Sequence, residues 1–147
     1  MSFQTDHVGL NVTDLNKSTE FYTRIFGFTV VAESHDGDRR SAFLAQDEAI
    51  VLTLWQQSSG RFDVAGPGLH HLSFQVADLD AVRAAEAVIK EVGAVLHYDG
   101  VVPHAEGTPS GGIFFEDPDG IRLEIFAPEG AADLRAPTAG APSCGFF

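Results

Sequence analysis

The chain has 147 residues, 44% of them apolar, which is enough for one compact domain with its own core. Nine lysine and arginine residues against 21 aspartate and glutamate residues give a formal net charge of −12 at pH 7. Because so few cations displace few counterions from nucleic acid or from an anionic membrane, we expect neither as a partner.

One cysteine, Cys144, excludes an internal disulfide and a cysteine-based zinc cluster. No run of the sequence approaches the length of a membrane span, about 18 apolar residues. The first residues, MSFQTD, lack the basic and apolar regions of a signal peptide. These features together predict a cytoplasmic protein.

The first predicted strand recurs 64 residues further along the chain, from His7 to His71. Residues 7–15, HVGLNVTDL, align without a gap with residues 71–79, HLSFQVADL. The histidine, the central valine, the aspartate and the leucine are identical, and the apolar residues alternate in both copies. We therefore predict a duplicated unit, with module 1 at about residues 5–57, a linker at 58–68 and module 2 at about 69–127.

Each copy reads as a strand, a helix and three further strands. Alternation with period two predicts the first strand, and Asp14 and Asp78 stand where a helix N-cap is expected. The helices that follow end at Gly27 and Gly93. The remaining strands are predicted near residues 28–34, 40–46 and 49–56 in the first copy and near 94–99, 111–116 and 121–127 in the second. The fold class is therefore α+β, with two tandem βαβββ modules.

The last twenty residues, 128–147, are rich in alanine, proline and glycine and have no periodicity. They predict an irregular tail with a frayed end, although the terminal run from Cys144 to Phe147 could dock on the domain.

Three side chains have the chemistry of a metal site. His7 and His71 lie on the polar faces of the two repeated strands, and Glu124 lies on the polar face of an otherwise apolar strand. Two imidazoles and a carboxylate form a set with open coordination positions that suits Fe, Mn, Co, Ni or Zn. The histidines could instead be core residues, and Glu124 could instead pair with Arg122. His70 is a weaker candidate than His71, since it falls on the apolar side of the strand.

The remaining candidates concern substrate. His104, in a loop rich in proline and glycine, is a possible general acid or base, or simply an exposed loop histidine. Four residues are candidates for binding substrate: Asn11, Gln75, Arg122 and Phe114.

The paired His-x-x-x-x-Val-x-Asp-Leu starts and the segment DPDGIRLE at residues 117–124 resemble the vicinal oxygen chelate superfamily, which includes glyoxalase I, extradiol dioxygenases, fosfomycin-resistance enzymes and bleomycin-resistance proteins. The resemblance spans about residues 5–127. For the fold, the resemblance implies a curled mixed sheet around a cleft, and for the assembly a homodimer. For the site, it implies one divalent metal ion on His7, His71 and Glu124 and a small-molecule substrate that chelates this ion through adjacent oxygens.

Glyoxalase I usually has a further glutamate in the last strand of the first half, where this chain has Leu52. This difference favours dioxygenase-type chemistry, although Phe114 and Phe115 stand where such dioxygenases have a tyrosine. A glyoxalase-like lyase or isomerase, a thiol transferase and a non-catalytic protein that binds an antibiotic remain the alternatives.

Overall fold

The computed structural model describes residues 1–145. The chain divides into two compact units, unit 1 at Met1–Phe62 and unit 2 at Asp63–Phe147. The boundary falls inside the segment 58–68 that the sequence predicts as a linker. No helix within residues 1–145 is long and apolar enough to cross a membrane.

Unit 1 is a four-stranded mixed sheet with one helix. Its elements are β1 (Val8–Asn11), α1 (Leu15–Phe26), β2 (Thr29–Asp36), β3 (Arg39–Gln46) and β4 (Ala49–Trp55). The strand order is β1-β4-β3-β2, in which β1 runs parallel to β4 and the other neighbours are antiparallel. Strand β1 alternates as predicted, because Leu10 is buried and Asn11 is exposed.

Unit 2 repeats this arrangement. Its elements are β5 (Leu72–Gln75), α2 (Leu79–Glu91), β6 (Val102–Pro103), β7 (Gly111–Glu116) and β8 (Arg122–Ala127). The strand order is β5-β8-β7-β6, with β5 parallel to β8 and the other neighbours antiparallel. The βαβββ order predicted for each half is therefore confirmed.

Both helices begin after the predicted aspartates and α1 ends at Gly27 as predicted, whereas the C-cap of α2 is Val92, one residue before the predicted Gly93. The side chain of Asp14 accepts a hydrogen bond from the Lys17 amide, and that of Asp78 accepts one from the Ala81 amide. After α1, Gly27 has φ 69°, a left-handed conformation that glycine adopts without the usual steric cost.

One predicted strand of unit 2 is interrupted. The sequence predicts a strand over 94–99, whereas the structure has a single β-bridge from Leu96 to Phe115, and β6 follows only at Val102. Both pieces bond to β7, since the His97 amide donates to the Phe114 carbonyl and Val102 pairs with Gly112. A bend between them includes Gly100, whose φ is 82°.

The register of the parallel pairs corrects the position at which the two halves are compared. Gly9 pairs with Thr53 in unit 1, and Ser73, 64 residues after Gly9, pairs with Glu124 in unit 2. Thr53, and not Leu52, is therefore the counterpart of Glu124. The Thr53 hydroxyl accepts a hydrogen bond of 2.9 Å from the Trp55 indole, so this position lacks a carboxylate all the same.

The segment 131–145, called here the C-terminal strap, has neither helix nor strand but is docked on unit 2. Ala131, Ala136 and Ser143 are buried. The Ala131 amide donates to the Pro109 carbonyl at 2.8 Å, and the Ala136 amide donates to the Glu106 carboxylate at 3.1 Å. The predicted irregular backbone is thus observed, but as far as residue 145 the strap is held rather than frayed. Phe146 and Phe147 lie outside the described residues.

Glycines at the start of β7 allow the strap and β8 to pack closely on this strand. A Cβ atom at Gly111 would stand 2.6 Å from the Cβ of Ala131, and one at Gly112 would stand 2.2 Å from the Ile125 carbonyl oxygen. Both distances are shorter than atoms tolerate. Glycine inside a strand often marks such a close approach of another backbone.

Candidate metal centre

Glu124 is the buried carboxylate on which the candidate centre of unit 2 is built. It lies in the middle of β8, where it pairs with Ser73 of β5 and with Phe114 of β7. Glu124 as a whole is only 2% exposed to solvent. Removing a carboxylate from water is costly unless hydrogen bonds or a cation compensate, so its neighbours decide what it can do.

His71, immediately before β5, directs its Nε2 atom toward this carboxylate, and Nε2 lies 3.6 Å from Glu124 Oε2. Burial lowers the pKa of His71 below its ordinary value, an effect that the Glu124 charge partly offsets and that His70, Arg122 and His104 reinforce. The imidazole is therefore neutral at pH 7, which is the form that binds a metal ion.

His104 contacts Oε1, the other oxygen of the Glu124 carboxylate. Its Nε2 is hydrogen-bonded to Glu124 Oε1, and its Nδ1 lies 2.7 Å from the Ser110 hydroxyl. The ring stands near Phe114 and Phe126, with centroids 6.3 and 5.2 Å away. The predicted loop histidine is therefore partly buried at the candidate centre and is not an exposed loop residue.

The C-terminal strap also reaches the backbone at His104 and Pro103. The Ser143 amide donates to the His104 carbonyl at 2.8 Å, and the Ser143 hydroxyl donates to the Pro103 carbonyl at 2.6 Å. The Tyr98 hydroxyl donates to the Ser143 carbonyl at 2.8 Å.

Burial, together with the negative charge of Glu124, raises the pKa of the Cys144 thiol, so this thiol is protonated at pH 7.

His7 is the third predicted ligand and belongs to unit 1. Its side chain is about half exposed, and its Nδ1 lies 2.6 Å from the Asp6 carboxylate. A carboxylate on Nδ1 leaves Nε2 as the metal-binding nitrogen of a neutral histidine, an arrangement common among zinc ligands. The assignment of His7 as a ligand stays a prediction.

The four residues predicted to bind substrate have different surroundings. Asn11 and Gln75 are exposed, and the Asn11 side chain accepts a hydrogen bond from the Gln57 amide at 3.0 Å. Arg122 is 9% exposed and donates to the His70 carbonyl, and Phe114 is 1% exposed with its ring against Tyr98. Their roles toward substrate stay predictions.

The donor set of unit 2 fits a divalent ion in its chemistry. A buried carboxylate with a neutral imidazole beside it supplies ligand types that Mn, Fe, Co, Ni and Zn accept. Within residues 1–145, no group of three or more histidine, cysteine, aspartate or glutamate side chains is already arranged around one metal position.

Sequence reasoning considered His70 only as a weaker candidate ligand and did not predict its contact with the ring of His71. Its Nδ1 lies 2.8 Å from Nδ1 of His71, and its Nε2 lies 3.1 Å from the carbonyl oxygen of Gly145. The His-His pair was visible in the sequence, but alternation assigned the two side chains to opposite faces. The strap could not be foreseen because it has no periodicity.

Comparison with known proteins gives a family match over residues 4–125, to the Glyoxalase/Bleomycin resistance protein/Dioxygenase superfamily. A trivalent organoarsenical cleaving enzyme of Bacillus sp. (strain MD1) is 32% identical over 120 residues, which cover 82% of this chain and 70% of that enzyme. A catechol-2,3-dioxygenase of Bacillus subtilis (strain 168) is 25% identical over 126 residues, 82% of this chain but only 41% of the enzyme. A glyoxylase/bleomycin resistance protein/dioxygenase domain from Frankia sp. EAN1pec has a similar fold, with a TM-score of 0.74 and 25% identity over 88% of this chain and 94% of that one.

Proposed function

Because the chain belongs to the Glyoxalase/Bleomycin resistance protein/Dioxygenase superfamily, we propose that it is a metalloenzyme that acts on a small molecule with two adjacent oxygens, by dioxygenase-type chemistry. His7, His71 and Glu124 hold one divalent ion. The observation that carries the proposal is Glu124, a buried carboxylate in an apolar strand with histidine nitrogens directed at both of its oxygens.

When bound, a divalent ion supplies a Lewis acid for the substrate oxygens and, if it is iron, a centre for O₂ chemistry. The protein contributes the binding and the proton. Glu124 supplies the negative charge that holds the ion, and His71 presents a neutral imidazole. Phe114 and Phe126 stand beside the His104 ring and limit the access of water to it.

His104 is the residue we propose for proton transfer. In the structure its Nε2 bonds Glu124, while the Ser110 hydroxyl lies on its Nδ1. If Glu124 held an ion, Nε2 of His104 would be released to bond a substrate hydroxyl; a protonated Nε2 could give a proton to substrate, and a neutral imidazole deprotonated at Nε2 could take one. Ser110 keeps the ring in the orientation that this exchange requires.

The preference for dioxygenase-type chemistry rests on unit 1. The counterpart of Glu124 there is Thr53, whose hydroxyl bonds Trp55 and which has no carboxylate for a substrate proton. A second acidic residue of the kind expected in glyoxalase I is therefore missing. The catechol-2,3-dioxygenase relative supports the same class.

Cleavage of a trivalent organoarsenical is a second candidate, favoured by the relative with that activity at 32% identity. Both candidates need the same ion and differ in substrate. They are separated by incubating the metal-loaded protein with catechol in an oxygen electrode and with a trivalent organoarsenical, followed by detection of arsenite.

The first test is the metal content of the freshly purified protein by elemental mass spectrometry. We expect about one ion per chain, lost in Glu124→Ala because that variant lacks the anionic ligand. Thr53→Val, which alters the equivalent position of unit 1, is the matched control and is expected to keep the ion. If no metal is found and added Fe, Mn, Ni, Co and Zn do not bind, the proposal is wrong, and the protein is better treated as a module that binds a small molecule.

Localisation and assembly complete the proposal. A cytoplasmic location is part of the proposal and is in keeping with the formal net charge of −12. A homodimer is implied by the resemblance, and its test is the molar mass in solution by light scattering.

A further inference from the structure

The side-chain contacts of His70 connect the C-terminal strap to a candidate ligand. The imidazole of His70 has two partners on its two nitrogens, His71 Nδ1 at 2.8 Å and the Gly145 carbonyl oxygen at 3.1 Å. A third contact fixes its backbone, because Arg122 donates from Nε to the His70 carbonyl at 3.0 Å. His70 itself is exposed, so burial does not account for its position.

These contacts determine where the protons lie. A carbonyl oxygen only accepts, so Nε2 of His70 must carry the proton that it donates to Gly145. In neutral His70 the other nitrogen, Nδ1, is then an acceptor, and the bond to His71 requires a proton on Nδ1 of His71. Neutral His71 therefore has no proton on Nε2, the nitrogen nearest to Glu124.

We propose that His70 is a positioning residue that sets the tautomer of His71 with Nε2 ready for a metal ion, and that the C-terminal strap holds His70 in turn. The assignment of His71 as a ligand rests on the proposed function. The residue before His7 supports the idea independently, since Asp6, 64 residues before His70, lies on Nδ1 of His7 in the same way. Both predicted ligand histidines thus have the preceding side chain on Nδ1.

The strap lies beyond the part of the chain that the family model matches. The family match ends at residue 125, whereas the contact to His70 comes from residue 145. Ser143 anchors this part of the strap through its amide on the His104 carbonyl and its hydroxyl on the Pro103 carbonyl. Residues 143–145 therefore contact both sides of the centre. Gly145 bonds His70, the partner of His71, and Ser143 bonds the backbone of His104.

The test compares two full-length variants, His70→Asn and His70→Phe, in metal-free protein. The Asn side-chain oxygen can replace the Nδ1 acceptor, whereas Phe has a ring of similar size with no acceptor. Long-range ¹H–¹⁵N spectra of the histidine rings report the tautomer directly. We expect His71 protonated on Nδ1 in the wild type and in His70→Asn, and a loss of this preference in His70→Phe. A wild-type His71 protonated on Nε2, or identical behaviour of the two variants, would overturn the proposal.

Titration with Mn(II), followed by electron paramagnetic resonance, gives the second readout. Replacing a group that orients a metal ligand typically weakens affinity about 10–100-fold, so we expect this loss in His70→Phe and its recovery in His70→Asn. His35→Phe, at an exposed histidine of β2, is the control for a lost imidazole. If the wild type binds no metal, the proposed function fails, while the tautomers still decide the present proposal.

The contribution of the strap is tested with Ser143→Ala and Ser143→Thr. Loss of the hydroxyl bond to Pro103 should accelerate amide exchange at His104 and Ser143 and weaken the tautomer preference of His71, whereas threonine keeps the hydroxyl. If Ser143→Ala changes neither the exchange nor the tautomer, the strap does not hold His70 and that part of the proposal is wrong.

Discussion

Strand pairs β1–β4 of unit 1 and β5–β8 of unit 2 share one parallel register but carry different polar residues. At the equivalent position, unit 1 has Thr53 bonded to Trp55, and unit 2 has Glu124 between His71 and His104. Leu52 and Leu123, one residue earlier, are both fully buried. The duplicated fold thus preserves its apolar face in both copies, while its polar face is free to differ.

The largest expected loss of stability comes from core leucines, and it should be the same in the two units. Leu52→Ala and Leu123→Ala each leave a cavity under a strand, and each is expected to lower the free energy of unfolding by about 2–5 kcal/mol. Urea denaturation of both variants checks this. A loss at only one of the two leucines would show that the cores of the units are not equivalent.

Metal affinity should then distinguish a centre in which His7 and His71 bind the same ion from a centre formed by residues of unit 2 alone. If His7 and His71 bind one ion, His7→Ala and His71→Ala should each weaken Mn(II) binding at least about 100-fold, or about 2.7 kcal/mol. Calorimetric titration measures this, with His35→Ala as the control. An unchanged affinity in His7→Ala would place the whole centre in unit 2, and unchanged metal content in the double variant would refute both ligand assignments.

Helix caps are a smaller test of equivalence. Asp14 and Asp78 accept hydrogen bonds from the Lys17 and Ala81 amides, so each change to alanine should cost about 1 kcal/mol of stability. Changes to asparagine retain the acceptor and serve as controls. Thermal unfolding compares the four proteins, and a large difference between Asp14→Ala and Asp78→Ala would indicate that only one helix depends on its cap.

The smallest expected effect is a pH dependence in unit 2. Burial lowers the pKa of His97 from its ordinary 6.5, with Glu116 opposing and Arg122 reinforcing this shift. As the pH falls, His97 therefore takes up a proton in the unfolded chain at a higher pH than in the folded one. The stability that neutral His97 contributes is complete above about pH 6.5 and is lost as the pH falls through the lowered pKa. We expect His97→Gln to lose less stability than the wild type between pH 6.5 and 5. Equal losses in urea titrations would contradict this role, and His35→Gln is the control in unit 1.

The repeat made the fold predictable. The match of His7 and His71, the aspartate caps and the glycines after the helices are local signals, and each stands next to the start or the end of a helix or strand. The strand expected at 94–99 was wrong because alternation does not reveal the bend at Gly100. The comparison of Glu124 with Leu52 was wrong by one residue, since strand register is set by pairing that the sequence does not display.

The candidate centre was predictable only in part. Glu124 stood out as a polar residue on an apolar strand and His71 through its match with His7 in the repeat, and the structure brings the two together. His104 was a weaker candidate because its loop has no pattern, and the bond to Glu124 depends on folding. His70 was set aside as a ligand because alternation placed it on the apolar side, and Ser143 gave no signal. Their contacts come from an irregular segment whose path is decided by packing and by single hydrogen bonds.

Gly111 gives the strap a vulnerability that no direct contact with the centre would reveal. The close approach of Ala131 exists only because residue 111 has no side chain. In a saturation library, every substitution at Gly111 is therefore expected to be depleted, including alanine, which is usually the mildest change. Such a variant would push both the beginning of the strap and the Val102 carbonyl of β6 away from β7, and so loosen a segment whose far end touches His70. A mutation classed as a simple strand defect would then appear as a loss of metal binding.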